Sequence, residues 1–185
     1  MARGNTGARF GFTHILLHWS VALVVFGLFG LGYYMVDLGY YHPWYRTGPH
    51  IHRSIGLLLV AVMVFRVIWR LTHRMPGPLP SHRRWEVVFA HATHGVLYLL
   101  IFTALASGYL ISTADGSAIQ VFNWFQVPSV TGRVHGLEEI AGDAHYWSTW
   151  ALVLLAVLHG LAAIKHHVID RDETLRRMCG LSPRS

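Results

Sequence analysis

The sequence has little charge and almost no cysteine. Charged residues make up 13% of the 185 residues and hydrophobic residues 53%, which is too apolar for an ordinary soluble domain. The single cysteine, Cys179, excludes a disulfide framework and a cysteine-rich metal site, and the Cys-x-x-Cys-His motif of covalent cofactor attachment is absent. A cleavable signal peptide is not expected, because the polar start of the chain runs into an apolar segment without a small-residue cleavage pattern.

Four apolar segments are long enough to cross a bilayer, which takes about 20 mostly apolar residues. They cover residues 13–35, 52–72, 87–111 and 146–168, and Pro and Gly punctuate the first two connections. The third connection, residues 112–145, contains the aromatic stretch AIQVFNWFQ, which predicts a short interfacial helix. The predicted fold is all-α: an integral membrane four-helix bundle, up-down-up-down, in a single domain of residues 1–185.

Basic residues lie mainly on one side of the predicted bundle. That side contains the N-terminus, the second connection and the tail, with Arg3, Arg9, Arg66, Arg70, Arg74, Arg83, Arg84, Lys165, Arg171, Arg176, Arg177 and Arg184. The other side is net acidic and has only three basic residues, Arg46, Arg53 and Arg133. Because Lys and Arg mark the cytoplasmic side, both termini are predicted to be cytoplasmic. Since the basic residues cluster at the ends of apolar runs, nucleic-acid binding is not expected.

Histidine is abundant, with 14 residues, and three of them recur in the fourth span. His145, His159 and His166 are separated by fourteen and then seven residues. A helix turns about 100° and rises about 1.5 Å per residue, so these imidazoles lie on one stripe, with His145 and His159 about 21 Å apart. One interpretation is two interfacial histidines and one hydrogen-bonded in the bundle. Ionisable groups inside membranes are costly and usually functional, which favours a site.

Antiparallel packing of the spans gives two of these histidines a partner at matching depth. His18 is expected to face His159, and His52 to face His145. Two imidazole pairs at separate depths are a ligand set for two stacked haem b groups, in the six-coordinate state used for electron transfer. Zinc is less favoured, because it needs three or four ligands that converge at one level.

Other residues of the spans suit haem binding. Arg66, fourteen residues after His52, and Arg53 are predicted partners of the haem propionates, although both could instead extend to lipid headgroups. Gly56 and Gly160 would let a porphyrin approach closely, which plain helix packing explains equally well.

The remaining histidines are less determined by the sequence. His14 lies one turn before His18 and is an alternative ligand. His91 and His94 could bond a propionate, relay protons, ligate haem or simply lie at the interface. The others are assigned to loops: His42, His50, His73, His82 and His135.

Taken together, these motifs resemble the bacterial cytochrome b561 family of small four-helix dihaem proteins. The matching stretches span nearly the whole chain: HW at His18, IHRSIG at His52 with Arg66 fourteen residues on, AHATHGVLYLL, the histidines of the fourth span, and DETLRRM. The resemblance implies the same ligation of two haem irons, by His18 with His159 and by His52 with His145. It also implies a multi-pass protein of the bacterial inner membrane.

The resemblance further implies an oxidoreductase of electron transport that exchanges electrons between haem and ubiquinone. Related members oxidise superoxide on the periplasmic side and reduce ubiquinone. His166 lies two turns beyond His159, at the depth of a quinone headgroup, so His166, Lys165 and His167 are the candidate quinone-binding residues. An ordinary basic helix end is the alternative.

The sequence leaves several questions open. An acidic outer side is poorly suited to attract superoxide, unless a local basic group forms from Arg46, Arg53, Arg133, His50 and His135. The chain could instead be a haem b membrane anchor and electron relay of a larger dehydrogenase or hydrogenase, or a histidine-lined transporter. The expected partners are membrane lipid and quinone. Because the lipid-facing stripes are uniformly apolar, the sequence does not decide between a monomer and a homodimer.

Overall fold

The computed structural model describes residues 9–181. Its four long helices are α1 (Phe12–Val36), α2 (Trp44–Thr72), α3 (Arg84–Thr113) and α4 (Leu137–Val168). Each is long and apolar enough to cross a membrane. The prediction of an all-α membrane four-helix bundle is therefore confirmed. Arg3 and Arg184, which entered the prediction of orientation, lie outside the described residues.

Helices α2 and α4 begin eight and nine residues before the predicted spans. Pro49 lies within α2, where it removes only the hydrogen bond to the Tyr45 carbonyl because proline has no N–H. The earlier start places His50 in a helix, so its assignment to a loop was wrong. It also places His52 and His145 well inside their helices, where backbone hydrogen bonds on both sides fix their positions.

A β-hairpin, and not a helix, occupies the connection between α3 and α4. Strands β1 (Ile119–Val121) and β2 (Phe125–Val127) pair antiparallel, so the predicted interfacial helix was wrong. The physical reason is the alternation of the sequence: Ile119 and Val121 are buried on one face, as the two-residue period of a strand requires. The Ser54 hydroxyl of α2 accepts a hydrogen bond from the Phe122 N–H (2.9 Å), which anchors the hairpin.

The chain forms two compact units, and each contains a segment of every long helix. Among the described residues, unit 1 comprises residues 9–22, 62–97 and 154–181, and unit 2 comprises Leu23–Ala61 and Tyr98–Val153. Each predicted histidine pair falls within one unit: His18 with His159 in unit 1, and His52 with His145 in unit 2.

Unit 2 buries small polar side chains and exposes large apolar ones. Its buried polar residues are Ser54, Ser107, Thr113 and Ser148. Leu23, Tyr33 and Leu99, by contrast, are 73%, 68% and 66% exposed. Membrane helices pack through small residues and interhelical hydrogen bonds while apolar side chains face lipid, so this distribution is the one expected of a membrane-embedded bundle.

The tail of the chain packs within unit 1. After α4, residues 169–173 lead into the short helix α5 (Thr174–Met178). The Trp19 indole N–H of α1 donates a hydrogen bond to the Met178 carbonyl (2.9 Å), and the Arg177 guanidinium donates to the Gly77 carbonyl (3.1 Å) in the α2–α3 connection. The tail is thereby tied to two other segments of its unit.

Candidate functional site

Each unit contains a pair of histidine rings at nearly the same separation. In unit 1 the ring centres of His18 and His159 are 6.4 Å apart with planes at 67°. In unit 2 those of His52 and His145 are 6.2 Å apart with planes at 73°. A first-row metal binds an imidazole nitrogen at about 2.0–2.1 Å, and that nitrogen lies about 1.1 Å from the ring centre, so trans imidazoles on one ion have centres about 6.3 Å apart. Both pairs match this value.

The unit 2 pair borders a large cavity. The cavity has a volume of about 800 Å³, within the range of cofactor sites. Its wall includes His52, His145 and two glycines one helical turn from them, Gly56 and Gly142. A Cβ atom added at either glycine would meet nothing within 4 Å, so these positions keep the wall open to a flat ligand.

The surroundings of His145 determine which of its nitrogens can bind a metal. Nδ1 lies 2.8 Å from the Ala104 carbonyl oxygen and 3.2 Å from the Ser107 hydroxyl. Since a carbonyl can only accept, Nδ1 carries the proton and Nε2 keeps its lone pair. Gly108 makes this position available, because a Cβ there would lie 3.0 Å from the ring's Cε1.

His52 is held in a similar way by α1. A Cβ at Gly32 would lie 3.2 Å from its Cε1 and 3.7 Å from Nδ1, so this edge of the ring faces α1. Nδ1 is buried without a hydrogen bond of good geometry, although the ring approaches the Leu28 carbonyl. Donation from Nδ1 to that carbonyl would leave Nε2 for a metal. Ring spacing, cavity and nitrogen chemistry together show that unit 2 fits a bis-imidazole haem.

The unit 1 pair differs in its contact with Arg66. One guanidinium nitrogen lies 3.0 Å from His18 Nδ1, and another donates to the Leu17 carbonyl (3.3 Å). Because a guanidinium only donates, Nδ1 accepts here and the proton resides on Nε2. The ring spacing fits haem, but ligation through Nε2 requires Arg66 to release His18.

Unit 1 contains three further histidines for which the sequence left a haem role open. His18, and not His14, faces His159; the His14 ring is buried and stacks on Phe10 with centres 4.8 Å apart. The His94 ring lies 5.0 Å from that of His159, too close for trans ligation of one ion. His91 is exposed and contacts the Val87 carbonyl at 2.7 Å.

Two of the predicted quinone residues, His166 and Lys165, lie in an acid–base cluster that the sequence did not indicate. His166 Nδ1 is 2.8 Å from an Asp170 carboxylate oxygen and 3.1 Å from one of Asp172. Lys165 pairs with Asp170 at 2.6 Å. His82, predicted to be a plain loop residue, contacts Asp172 at 3.0 Å. Sequence reasoning missed His82 because it lies ninety residues before Asp172 in the chain. It missed Asp170 and Asp172 because both follow the last predicted span.

The Asp172 carboxyl lies beyond the end of α4. Burial acts to raise its pKa, but hydrogen bonds from Thr174 and His82, together with the nearby His166, hold the pKa below its usual range. Asp172 is therefore an ionised carboxylate at neutral pH.

A second cavity of unit 2 is lined by some of the basic residues that were predicted to form a local positive site. It has a volume of about 730 Å³ and is lined by Arg46, His50 and Arg53 among others. Arg53 also lines the cavity between His52 and His145, so it borders both. Arg133, by contrast, forms a backbone bridge with Asp115.

A membrane-spanning four-helix bundle with paired imidazoles at this spacing defines a class, the membrane electron-transfer proteins of the b-type cytochromes. The chain belongs to the prokaryotic cytochrome b561 family, whose model matches residues 9–180. Proteins of this family bind haem b, and the protein is a multi-pass protein of the bacterial inner membrane.

Named relatives agree with this assignment. The chain is 47% identical to cytochrome b561 homolog 2 of Escherichia coli (strain K12) over 182 residues, which is 98% of this chain and 97% of the relative. It is 27% identical to the probable superoxide oxidase CybB of Yersinia pestis, over 92% of this chain and 95% of the relative. Cytochrome b561 homolog 1 of the same Escherichia coli strain is 26% identical, over 92% and 96%.

Proposed function

We propose that the protein is a single dihaem domain that carries electrons across the inner membrane from a periplasmic donor to ubiquinone. The observation that carries this proposal is the pair of ring separations, 6.4 Å and 6.2 Å, since each suits two imidazoles on one iron. The distribution of Lys and Arg supports cytoplasmic termini. In that orientation the His52–His145 pair lies toward the periplasm and the His18–His159 pair toward the cytoplasm.

In this proposal haem b supplies a reversible one-electron carrier, and the protein supplies ligands and charge compensation. His145 binds as a neutral imidazole because its Nδ1 proton is held by the Ala104 carbonyl, which also orients the ring. Arg53 and Arg66 are the proposed partners of the propionates, whose negative charge needs compensation in a low-dielectric medium. Arg53 is positioned by a hydrogen bond from its Nε to the Pro49 carbonyl (3.2 Å).

Superoxide is the proposed donor. The cavity lined by Arg46, His50 and Arg53 supports this choice, since it provides a local positive site for an anion on a net acidic side. The name of the Yersinia pestis relative adds a second, independent support. Each superoxide gives up one electron and leaves as dioxygen, so two superoxide ions and two protons convert one ubiquinone into ubiquinol.

Stopped-flow spectroscopy of the purified, haem-loaded protein tests this reaction. We expect superoxide to reduce the haem, and added ubiquinone to reoxidise it, with one quinone reduced for every two superoxide ions. Superoxide dismutase is the control, because it should abolish the reduction. Haem that stays oxidised under superoxide and is reduced only by a partner subunit would instead establish the anchor role.

His166 is the proposed quinone-binding residue. Its side chain is 19% exposed, and its Nδ1 is buried beside Asp170 and Asp172 without a hydrogen bond of acceptable angle. The ring proton can therefore reside on Nε2, which is the nitrogen available to donate to a quinone carbonyl. His167 and Lys165 flank it, but the Lys165 charge is paired with Asp170. A hydrogen bond from His166 to the quinone is thus the specific interaction that this end of α4 offers.

We expect the substitution His166→Ala to slow quinone reduction by roughly tenfold, because a hydrogen bond to a positioned substrate contributes about 1–1.5 kcal/mol. Haem content and the rate of haem reduction by superoxide should stay unchanged. His73→Ala, which removes another imidazole of unit 1 that stacks on Trp69, is the matched control. Quinone turnover that is equal in both variants would remove His166 from the mechanism.

A further inference from the structure

The cluster at the end of α4 contains more ligand atoms than a quinone contact needs. His82 Nε2, His166 Nδ1 and an Asp172 carboxylate oxygen all lie within 4.8 Å of one another. The Asp172 oxygen is 3.0 Å from the first nitrogen and 3.1 Å from the second. Ligand atoms around a tetrahedral zinc with bonds of 2.0–2.1 Å are separated by about 3.3 Å. These two separations are close to that value.

The orientation of His166 does not fit a simple hydrogen-bonded cluster. Its Nδ1 lies 2.8 Å and 3.1 Å from carboxylate oxygens of Asp170 and Asp172, yet it makes no hydrogen bond of acceptable angle and is buried from solvent. The nitrogen is therefore a buried polar atom without a hydrogen bond, which calls for an explanation in a folded protein. A metal ion bound through its lone pair would supply the missing partner.

We infer that His82, His166 and Asp172 form a binding site for a divalent transition-metal ion of the zinc type. Two neutral imidazoles and one carboxylate are a set of three ligands that zinc accepts with a fourth position open to water or another group. Asp170, whose carboxylate lies 2.8 Å from His166 Nδ1, and the Thr174 hydroxyl, 3.2 Å from His82 Nε2, are neighbouring oxygen groups that could supply the fourth ligand. Calcium and magnesium are disfavoured, since they prefer oxygen ligands.

The charges around the cluster also suit a cation. The Asp172 side chain is 8% exposed. One of its carboxylate oxygens accepts a hydrogen bond from the Thr174 N–H (2.8 Å), and the other faces the two imidazoles. Lys165 is engaged with Asp170. A divalent ion would neutralise Asp172 and would hold the two imidazoles as neutral ligands.

An ion at this site would join the end of α4 and the segment that follows it to a connection that is distant in sequence. His166 belongs to the last turn of α4, Asp172 to the segment before α5, and His82 to the connection between α2 and α3. Because metal binding to the folded state stabilises that state, zinc should raise the unfolding temperature of the protein. The ion would also leave only Nε2 of His166 exposed to other ligands, with its proton attached.

The site can be tested by isothermal titration calorimetry. The haem-loaded protein is treated with a chelator, kept in detergent and titrated with zinc chloride. We expect one tight zinc per chain and a higher unfolding temperature. Loss of an outer-shell partner alone typically costs about 10- to 100-fold in metal affinity, so His82→Gln and Asp172→Asn, which remove ligands, should each weaken the tight site by at least about 100-fold. Both substitutions keep hydrogen-bonding capacity and similar volume.

The control variant is His91→Ala, which removes an exposed imidazole of the same unit and should bind zinc as the parent does. Zinc K-edge absorption should show two imidazoles and one carboxylate. Equal affinity in His82→Gln, Asp172→Asn and the parent, or several weak sites without a tight one, would overturn the inference. The experiment measures zinc affinity and thermal stability, and haem content is measured separately. A negative result would therefore reject the zinc site without bearing on the proposed electron transfer.

Discussion

Replacing His145 with alanine is expected to reduce the haem b content from two per chain to one. The substitution removes one of the two imidazoles whose ring centres lie 6.2 Å apart in unit 2, so the remaining His52 would have to hold the group alone. His159→Ala should have the same effect on the pair of unit 1, and the double variant should bind no haem. A pyridine haemochrome assay of the purified protein, with protein measured by amino-acid analysis, gives the content.

His135→Ala is the matched control, because His135 lies in a loop and is exposed. It should retain two haems. The two single variants should also remove different components of the redox titration, since each pair belongs to its own unit. Loss of both haems from either single variant would contradict independent sites, and retention of both would exclude the substituted histidine as a ligand.

A bulkier residue at position 108 should displace the His145 ring while the imidazole itself stays in the protein. A Cβ at Gly108 would lie 3.0 Å from His145 Cε1 and 3.2 Å from Nδ1, so Gly108→Val pushes the ring away from the Ala104 carbonyl that orients it. Overpacking of this kind typically costs about 1–3 kcal/mol, which corresponds to roughly 5- to 150-fold weaker haem binding. The rate of haem transfer to an acceptor apoprotein measures the change, and Gly108→Ala should give a smaller one.

Gly27→Val supplies the comparison in the same unit. Gly27 lies in α1, and a Cβ there would meet nothing within 4 Å, so added volume should be accommodated without effect on haem. Far-UV circular dichroism of both variants verifies that the helices are intact. If Gly108→Val released haem no faster than Gly27→Val, the close approach of α3 to His145 would have no part in haem binding.

Much of the fold and family could be predicted from the sequence because membrane helices obey simple rules. A run of about 20 apolar residues must form a helix to satisfy its backbone in lipid, and so four runs predicted four helices, which the structure confirms. Helix starts were predicted less well. Helices α2 and α4 begin with residues that precede the apolar run and are less apolar than it. Hydropathy identifies only the apolar run, so it does not predict that the helix starts earlier.

The histidine pairs show where sequence reasoning about a site works and where it ends. The period of the helix and the depth of each residue suggested which imidazoles would meet, and the structure brings these four together in two pairs. Their ligation of haem stays a prediction. Ser107 and Gly108, in contrast, carried no signal beyond being small residues in a span, although they contact His145 or make room for it.

By itself, the sequence determined the membrane class and the number of spans, and it suggested which of four histidines share a depth, because these properties depend on hydropathy and helix geometry within one segment. Only the tertiary structure decided that Gly32 and Gly108 make room for the imidazoles, that a hairpin rests on Ser54, and that His82 meets Asp172 and His166. Each of these contacts joins segments far apart in the chain. Their distances depend on how side chains of different helices and loops pack, which no periodicity within one segment encodes.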